Sequence, residues 1–267
     1  TIAAVYVDDI IITGTDLVEI NAFKAHLHHV FGIKDLGLLH FFLGFEVGYC
    51  TDGIMLTQAK FTRELITDSG ITQYKHVATP LPLNLKLHVD TGELFEDPAL
   101  YRALVGKLNF LTHTRPDLAY SVQTLSQFMH SPRIQHFDAL QHVLHYVAST
   151  AGQGLILNGT NALTLKAYSD SDWAACPNTR RSISGYLLLL GNSPISWKSK
   201  KQSTVSKYSS EAEYRAMASA ASEVTWLVRL LTELGIDKLT PITLYCDNQS
   251  ALHIARNPIF HERTKHI

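Results

Sequence analysis

Residues 208–235 contain no proline, and no glycine before Gly235 closes the stretch. Stepping from Glu213 by four and three residues gives Met217, Ala220, Val224, Leu227 and Leu231, the apolar stripe of one long helix facing a core. Glu213 lies on that stripe and points inward. Glu211 belongs to a different row with Arg215, Ser222 and Arg229, which reads as a solvated face. Burying an unpaired carboxylate costs several kcal/mol or forces protonation. An inward Glu213 is therefore either a first-turn acid favoured by the helix dipole or a metal ligand.

A helix of this kind needs a core to cover. With 267 residues, 46% of them hydrophobic and 18% charged, the chain is long enough to supply one in a single large domain or in two ordinary ones. A net charge of −1 gives no global argument for a nucleic-acid partner, which must instead be argued from local basic stretches. Cys50, Cys176 and Cys246 are an odd, widely spaced set without a CxxC pair. They suit a reducing compartment, exclude a disulfide framework and read as core thiols. No apolar run reaches about 18 residues and no basic-then-apolar leader opens the chain, so neither a membrane span nor a signal peptide is expected. Thr1 is not an initiator methionine and TIAAVYV reads as the middle of a strand, so the chain is expected to be cut from something longer.

Residues 2–12 form an apolar run interrupted by Tyr6-Val7-Asp8-Asp9, a hairpin with two acids at its turn. Adjacent carboxylates between apolar strands repel unless a cation lies beside them, although Asp is also a common turn residue. The YVDD stretch resembles the palm motif of reverse transcriptases. Phe31-Gly32-Ile33-Lys34-Asp35-Leu36-Gly37, Phe42-Leu43-Gly44-Phe45-Glu46-Val47 and Ile54-Met55-Leu56-Thr57-Gln58 resemble the segment C-terminal to that motif in Ty1/copia-type retrotransposon polymerases. The resemblance implies that Asp8 and Asp9 are catalytic, that Asp8 binds magnesium, and that Tyr6 contacts nucleic acid. It also implies a third Asp on a palm strand that would precede Thr1.

Helices are expected over residues 21–30 and 58–69, then a loop through Thr79-Pro80-Leu81-Pro82 and residues 90–98. Three more helices open at Asp97-Pro98, Arg115-Pro116 and Ser131-Pro132, the last running through Val147. Their Arg102, Lys107, Arg115 and Arg133 are read as a solvated face or as phosphate contacts, and His136, His142 and His145 as core residues or metal ligands. Residues 152–159, rich in Gly and Asn, read as a boundary.

Beyond it, strands are expected over residues 163–169, 181–191 and 195–201, then the long helix, a strand over 242–246 and a helix over 248–256 with Ala251, Leu252 and Ala255 inward. This β-β-β-α-β-α order describes a mixed sheet with helices on its faces. Asp170 and Asp247 then fall at the C-terminal ends of the first and fourth strands, and parallel pairing of those strands would set the two about 5 Å apart. With Glu213 they make three close acids, a hard-oxygen set favouring Mg2+ or Mn2+.

Tyr168-Ser169-Asp170-Ser171-Asp172-Trp173-Ala174, Ile195-Ser196-Trp197-Lys198-Ser199-Lys200-Lys201, Ser210-Glu211-Ala212-Glu213-Tyr214 and Tyr245-Cys246-Asp247-Asn248-Gln249 resemble, in that order, the ribonuclease H of copia-type elements. The resemblance implies that Asp170, Glu213 and Asp247 are catalytic metal ligands, with Asp172 and Glu211 the near misses. It makes Lys198, Lys200 and Lys201 contacts to an RNA:DNA hybrid recognised by backbone shape. The family adds a last strand and a helix bearing a fourth carboxylate, whereas this sequence stops at Thr264-Lys265-His266-Ile267.

The α/β (α+β) architecture expected is therefore an end of a polymerase palm and start of a thumb over residues 1–96, a helical thumb or connection over 97–151, and an incomplete ribonuclease H-like domain over 160–267. The implied function is two-metal hydrolysis of RNA in RNA:DNA hybrids, with RNA-directed DNA polymerisation in the full-length parent alone. Its partners would be template-primer nucleic acid and the rest of a Pol polyprotein, without a membrane, in the cytoplasm within a virus-like particle or in the nucleus. The other reading is a non-catalytic retroelement remnant that at most binds nucleic acid.

Overall fold

The computed structural model describes residues 1–71, 75–159 and 163–257, so the stop at residues 264–267 lies outside the described residues. Strands β1 (Ile2–Tyr6) and β2 (Asp9–Thr13) pair antiparallel with Tyr6 opposite Asp9, leaving Val7 and Asp8 as the turn. Val7 takes φ of 50°, a left-handed conformation that costs a β-branched residue about 1–3 kcal/mol. Helix α1 (Leu17–Phe31) starts at Asp16, whose carboxylate accepts the Val18 and Glu19 N–H groups. The apolar period becomes regular only at Asn21, which is why the pattern alone misses the helix's first turn. No residue of α1 is buried.

Strands β3 (Phe41–Phe42), β4 (Phe45–Cys50) and β5 (Gly53–Thr57) form a meander with its turn at Thr51-Asp52. Helix α2 (Ala59–Asp68) buries Thr62, Leu65 and Ile66. Helix α3 (Pro98–Leu111) begins as its sequence implies: Asp97 accepts the Leu100 N–H at 2.9 Å and Pro98 occupies the first turn. After a 3-10 turn over Pro116–Leu118 come α4 (Ala119–Ser126) and α5 (Ile134–Ser149). One core collects Tyr101, Leu104, Leu108, Leu125, Leu140 and Leu144 from these helices, together with Leu65 of α2 and Leu87 of the preceding loop.

Residues 152–159, read from their composition as a boundary, contain strand β6 (Leu155–Asn158), which pairs antiparallel with β5 and extends that sheet to the order β3-β4-β5-β6. Glycine is what this pairing needs. A Cβ on Gly154 would lie 2.2 Å from the Leu56 carbonyl oxygen, and one on Gly53 2.0 Å from that of Leu157. Turn-forming composition and close strand approach thus share one signature.

Strands β7 (Leu165–Asp172), β8 (Ile183–Leu190) and β9 (Ser193–Lys201), then α6 (Ser209–Glu233), β10 (Thr243–Tyr245) and α7 (Gln249–Arg256), follow the expected order. The sheet runs β10-β7-β8-β9, with β10 parallel to β7 and the other pairs antiparallel. Helix α6 packs on β7 and β8, where Leu227 and Leu231 meet Leu165, Ala167 and Leu188. In α7, Ala251 is buried but Ala255 is exposed, so the inward face is narrower than the sequence implies. The whole is a mixed α/β chain, and none of its described helices is long and apolar enough to cross a membrane.

Hydrogen bonds tie the parts together: Asn158 N–H to Ser193 Oγ at 2.8 Å, Trp197 Nε1–H to the Thr112 carbonyl at 2.9 Å, and Lys201 Nζ to Gln127 Oε1 at 2.6 Å. Gly152 and Gly154 lie two residues apart, yet a Cβ on Gly152 meets nothing within 4 Å. Gly154→Ala is expected to lower unfolding free energy by about 1–3 kcal/mol, since it forces β5 and β6 apart, and Gly152→Ala to change it by less than about 0.5 kcal/mol. Urea denaturation of the two variants checks this, and equal midpoints would contradict the pairing.

Candidate metal centre

Strand β7 is buried at Leu165, Ala167, Ser169 and Ser171 beneath α6, so Lys166, Tyr168, Asp170 and Asp172 occupy its other face. Glu213 reaches down from α6 and is 6% exposed, as its place on the apolar stripe requires. Strand β10 ends opposite Tyr168, leaving β7 unpaired beyond that point on this side. The Ser171 N–H there donates to Glu213. The parallel pairing of these two strands expected from the sequence is present, and Asp247 lies two residues past Tyr245 as Asp170 lies two past its partner Tyr168.

Ligand atoms of Glu213, Cys246 and Asp247 lie within 4.8 Å of one another, and among the described residues this is the one such group of metal-binding side chains. The Asp170 carboxylate stands outside that limit, on the other face of β7, but lines the same cavity of about 500 Å³ as Cys246 and Asp247. Tyr168 and Tyr245 stack at its rim, ring centroids 4.8 Å apart. Burial raises the Glu213 carboxyl to about 7; the Asp170 charge, then those of Asp247 and Asp172, push the same way against the Ser171 N–H. A neutral acid is the alternative to a cation here. The oxygen donors of Glu213, Asp247 and Asp170 suit Mg2+ or Mn2+, while Cys246 adds a soft atom that a magnesium site does not need.

Asp172 and Glu211, the near misses, lie in different surroundings. Asp172 lines another cavity, of about 380 Å³, together with Asp170, Asp117 and Tyr120, and does not line the one that holds Cys246 and Asp247. Burial raises its carboxyl, and Asp170 adds to the rise. Glu211 is 3% exposed, which corrects its reading as part of a solvated face. Its carboxylate accepts the Lys207 N–H at 2.7 Å and pairs with Arg215 Nη2 at 3.0 Å, so it fastens the start of α6. Ser222 and Arg229 of the same row are exposed as expected, and Glu211 alone is buried, because the loop before α6 folds over it.

The lysines of β9 divide between faces. Ser196 bonds Glu223 of α6 at 2.7 Å, so Lys198 and Lys200 share the α6 face and both are exposed. Lys201 points the other way, half-buried against Gln127 and 3.8 Å from Cys176 Sγ. Among the cysteines Cys176 is buried, Cys246 half-buried and Cys50 exposed, so the expectation of three core thiols holds for Cys176 alone.

Asp8 and Asp9 are exposed at the tip of the first hairpin beside Tyr6, which is 56% exposed. Among the described residues no third metal-binding side chain gathers with them. The basic helical residues are occupied internally: Arg115, 2% exposed, makes a bidentate pair with Asp117 and bonds Thr150; Lys107 pairs with Asp68; Arg102 and Arg133 bond carbonyl oxygens. The histidines also hold backbone. His136 accepts the Arg133 N–H and bonds the His88 carbonyl, His142 bonds that of Thr79, and His145 accepts the Lys75 N–H. Nothing in the local sequence marks Cys246 as part of the site; only the end of β10, where strand alternation stops, brings it beside Glu213.

A family model described as reverse transcriptase (RNA-dependent DNA polymerase) matches residues 1–82. The retrovirus-related Pol polyprotein from transposon RE2 of Arabidopsis thaliana is 45% identical over 98% of this chain, which spans 18% of that polyprotein's length. An uncharacterized mitochondrial protein of Arabidopsis thaliana is 42% identical over 83% of the chain and 92% of its own length. A putative transposon Ty5-1 protein of Saccharomyces cerevisiae is 31% identical over 83% of the chain and 73% of its own length. The chain thus spans less than a fifth of the two Arabidopsis thaliana Pol polyproteins it matches.

Because Glu213 binds its proton more tightly folded than unfolded, its contribution to stability is full below the unfolded value near 4.5 and is lost as pH rises toward 7. Without divalent cations, wild-type stability is expected to fall by up to about 3 kcal/mol more than that of Glu213→Gln across this window. Denaturation midpoints of the two proteins from pH 4.5 to 7.5 measure the difference, and parallel pH profiles would contradict the buried acid.

Proposed function

The chain belongs to the Ty1/copia-type retrotransposon Pol polyprotein family, and on that premise we propose that it joins part of a reverse transcriptase to a ribonuclease H. Residues 1–96 are the end of the palm and the start of the thumb, 97–151 the helical thumb or connection, and 160–267 the ribonuclease H-like domain. The domain's reaction is hydrolysis of the RNA strand of an RNA:DNA hybrid. The observation that carries this reading is Glu213, buried on α6 with the charges of Asp170, near the end of β7, and Asp247, just past the end of β10, acting on it.

Asp170, Glu213 and Asp247 would hold Mg2+, with Mn2+ as substitute. Such a cation supplies an acidified water as nucleophile and stabilises the departing oxygen. Glu213 holds its carboxylate against the sheet through the Ser171 N–H, while exposed Asp170 and Asp247 face the cavity that admits the backbone. Lys198 and Lys200 meet hybrid phosphates by charge and shape. Lys201 fixes β9 to the helical unit instead. In the longer polyprotein Asp8 and Asp9 serve RNA-directed DNA polymerisation, with Tyr6 against the template-primer, in cytoplasmic particles or in the nucleus.

The second reading is a non-catalytic retroelement remnant that at most binds nucleic acid. What favours it is the mitochondrial relative, 92% of whose length this chain spans. Hydrolysis of a labelled RNA:DNA hybrid separates the two. Within its Pol context the chain is expected to cleave with Mg2+, Glu213→Gln and Asp247→Asn to lose roughly 100-fold or more, and Asp170→Asn to lose more than Asp172→Asn. Cleavage unchanged in Glu213→Gln and Asp247→Asn would overturn the site. Hybrid binding without cleavage in the wild type would favour the remnant.

A further inference from the structure

Cys246 Sγ lies 3.9 Å from Glu213 Oε2, and both sit with an Asp247 oxygen inside one 4.8 Å cluster. A tetrahedral zinc ion, with bonds of about 2.3 Å to sulfur and about 2.0 Å to oxygen, holds those two atoms about 3.5 Å apart. The cluster is thus within a small side-chain rotation of a zinc geometry. We infer that Glu213, Cys246 and Asp247 form a binding site for a thiophilic divalent cation, zinc in the first place, and that its occupation displaces magnesium from the two carboxylates.

Several features support this ligand set. Strand alternation would send adjacent residues to opposite faces, but β10 ends at Tyr245, so Cys246 and Asp247 converge on Glu213. The cavity that Cys246 and Asp247 line with Asp170 leaves room for a water as the fourth ligand, the usual complement of three protein ligands. On binding, the Sγ–H bond breaks, its proton passes to solvent, and the sulfur keeps the electron pair it donates to the metal. Zinc stands high in the divalent series and thiolate is a soft donor, so the set prefers zinc to magnesium. The competitive half of the inference rests on the proposed reading of Glu213 and Asp247 as magnesium ligands; zinc binding itself does not.

The test uses Cd2+ and Zn2+ on the folded chain carrying Cys50→Ser, which removes the exposed thiol. Titration with Cd2+ is expected to give one equivalent of thiolate-to-cadmium charge-transfer absorbance, absent after Cys246→Ser. Zinc affinity, read by competition with a chromophoric indicator, should fall at least about tenfold in Cys246→Ser and in Asp247→Asn, since loss of even an outer-shell partner costs that much. Circular dichroism establishes that each variant is folded; Asp247 is exposed, so its variant keeps the test decisive if Glu213 or Cys246 variants unfold. Absorbance that persists in Cys246→Ser, or zinc affinity unchanged in Asp247→Asn, would overturn the site. Zinc binding that Mg2+ does not weaken leaves the zinc site standing and removes the magnesium reading. Mg2+-dependent hybrid cleavage without zinc binding does the reverse.

Discussion

A carboxylate buried under the first turns of a helix is tolerable only while something offsets its charge, and the second half of this chain is arranged around that requirement at Glu213. The Ser171 N–H is one offset, available because β10 ends opposite Tyr168. A hydrogen bond to a charged group is worth about 1.5–3 kcal/mol. It does not overcome burial and the charges of Asp170, Asp247 and Asp172, since the Glu213 carboxyl still rises to about 7. The remaining deficit is what a divalent cation would remove. The parallel pairing of β10 with β7 creates the problem and its solution together, because it brings Asp247 and Asp170 to one cavity and ends before Ser171, leaving the donor free.

The rest of the fold serves to hold that sheet. Trp197 and Lys201 anchor β9 to the helical unit, and Asn158 of β6 donates to Ser193 at the start of β9. The helical core draws in Leu65 from α2 and Leu87 from the long loop. His136, His142 and His145 fasten that loop along α5 through its backbone. Basic and histidine side chains that look like ligands for something external are spent here on internal acceptors.

How much of this was legible depends on how local the determining physics is. The α6 stripe, the Asp97-Pro98 start of α3 and the alternation of β7 each follow from one repeating side-chain period or one cap, and the structure carries all three. Glu213 is inward as its row implies, while β7 runs two residues past Asp170, further than the strand expected to stop before it. What escaped the sequence was non-local. Glycines at 152–159 look like a linker until Leu56 is seen pressing on Gly154. Glu211 looks solvated until Lys207 and Arg215 close over it, and Cys246 looks like a core thiol until the end of β10 turns it toward Glu213. A helical projection has no term for a loop folding back, and an adjacent pair of residues gives no sign of where its strand will stop.

If Glu213 holds a divalent cation between Asp170 and Asp247, its carboxyl must titrate differently with and without that cation. Carbon-13 NMR of the Glu213 carboxyl in the folded chain follows that titration at the group itself. A midpoint near 7 is expected without the cation, and a shift downward by at least about one unit when Mg2+ is bound, because a bound cation favours the carboxylate. A midpoint that Mg2+ leaves unchanged would contradict a cation at this site.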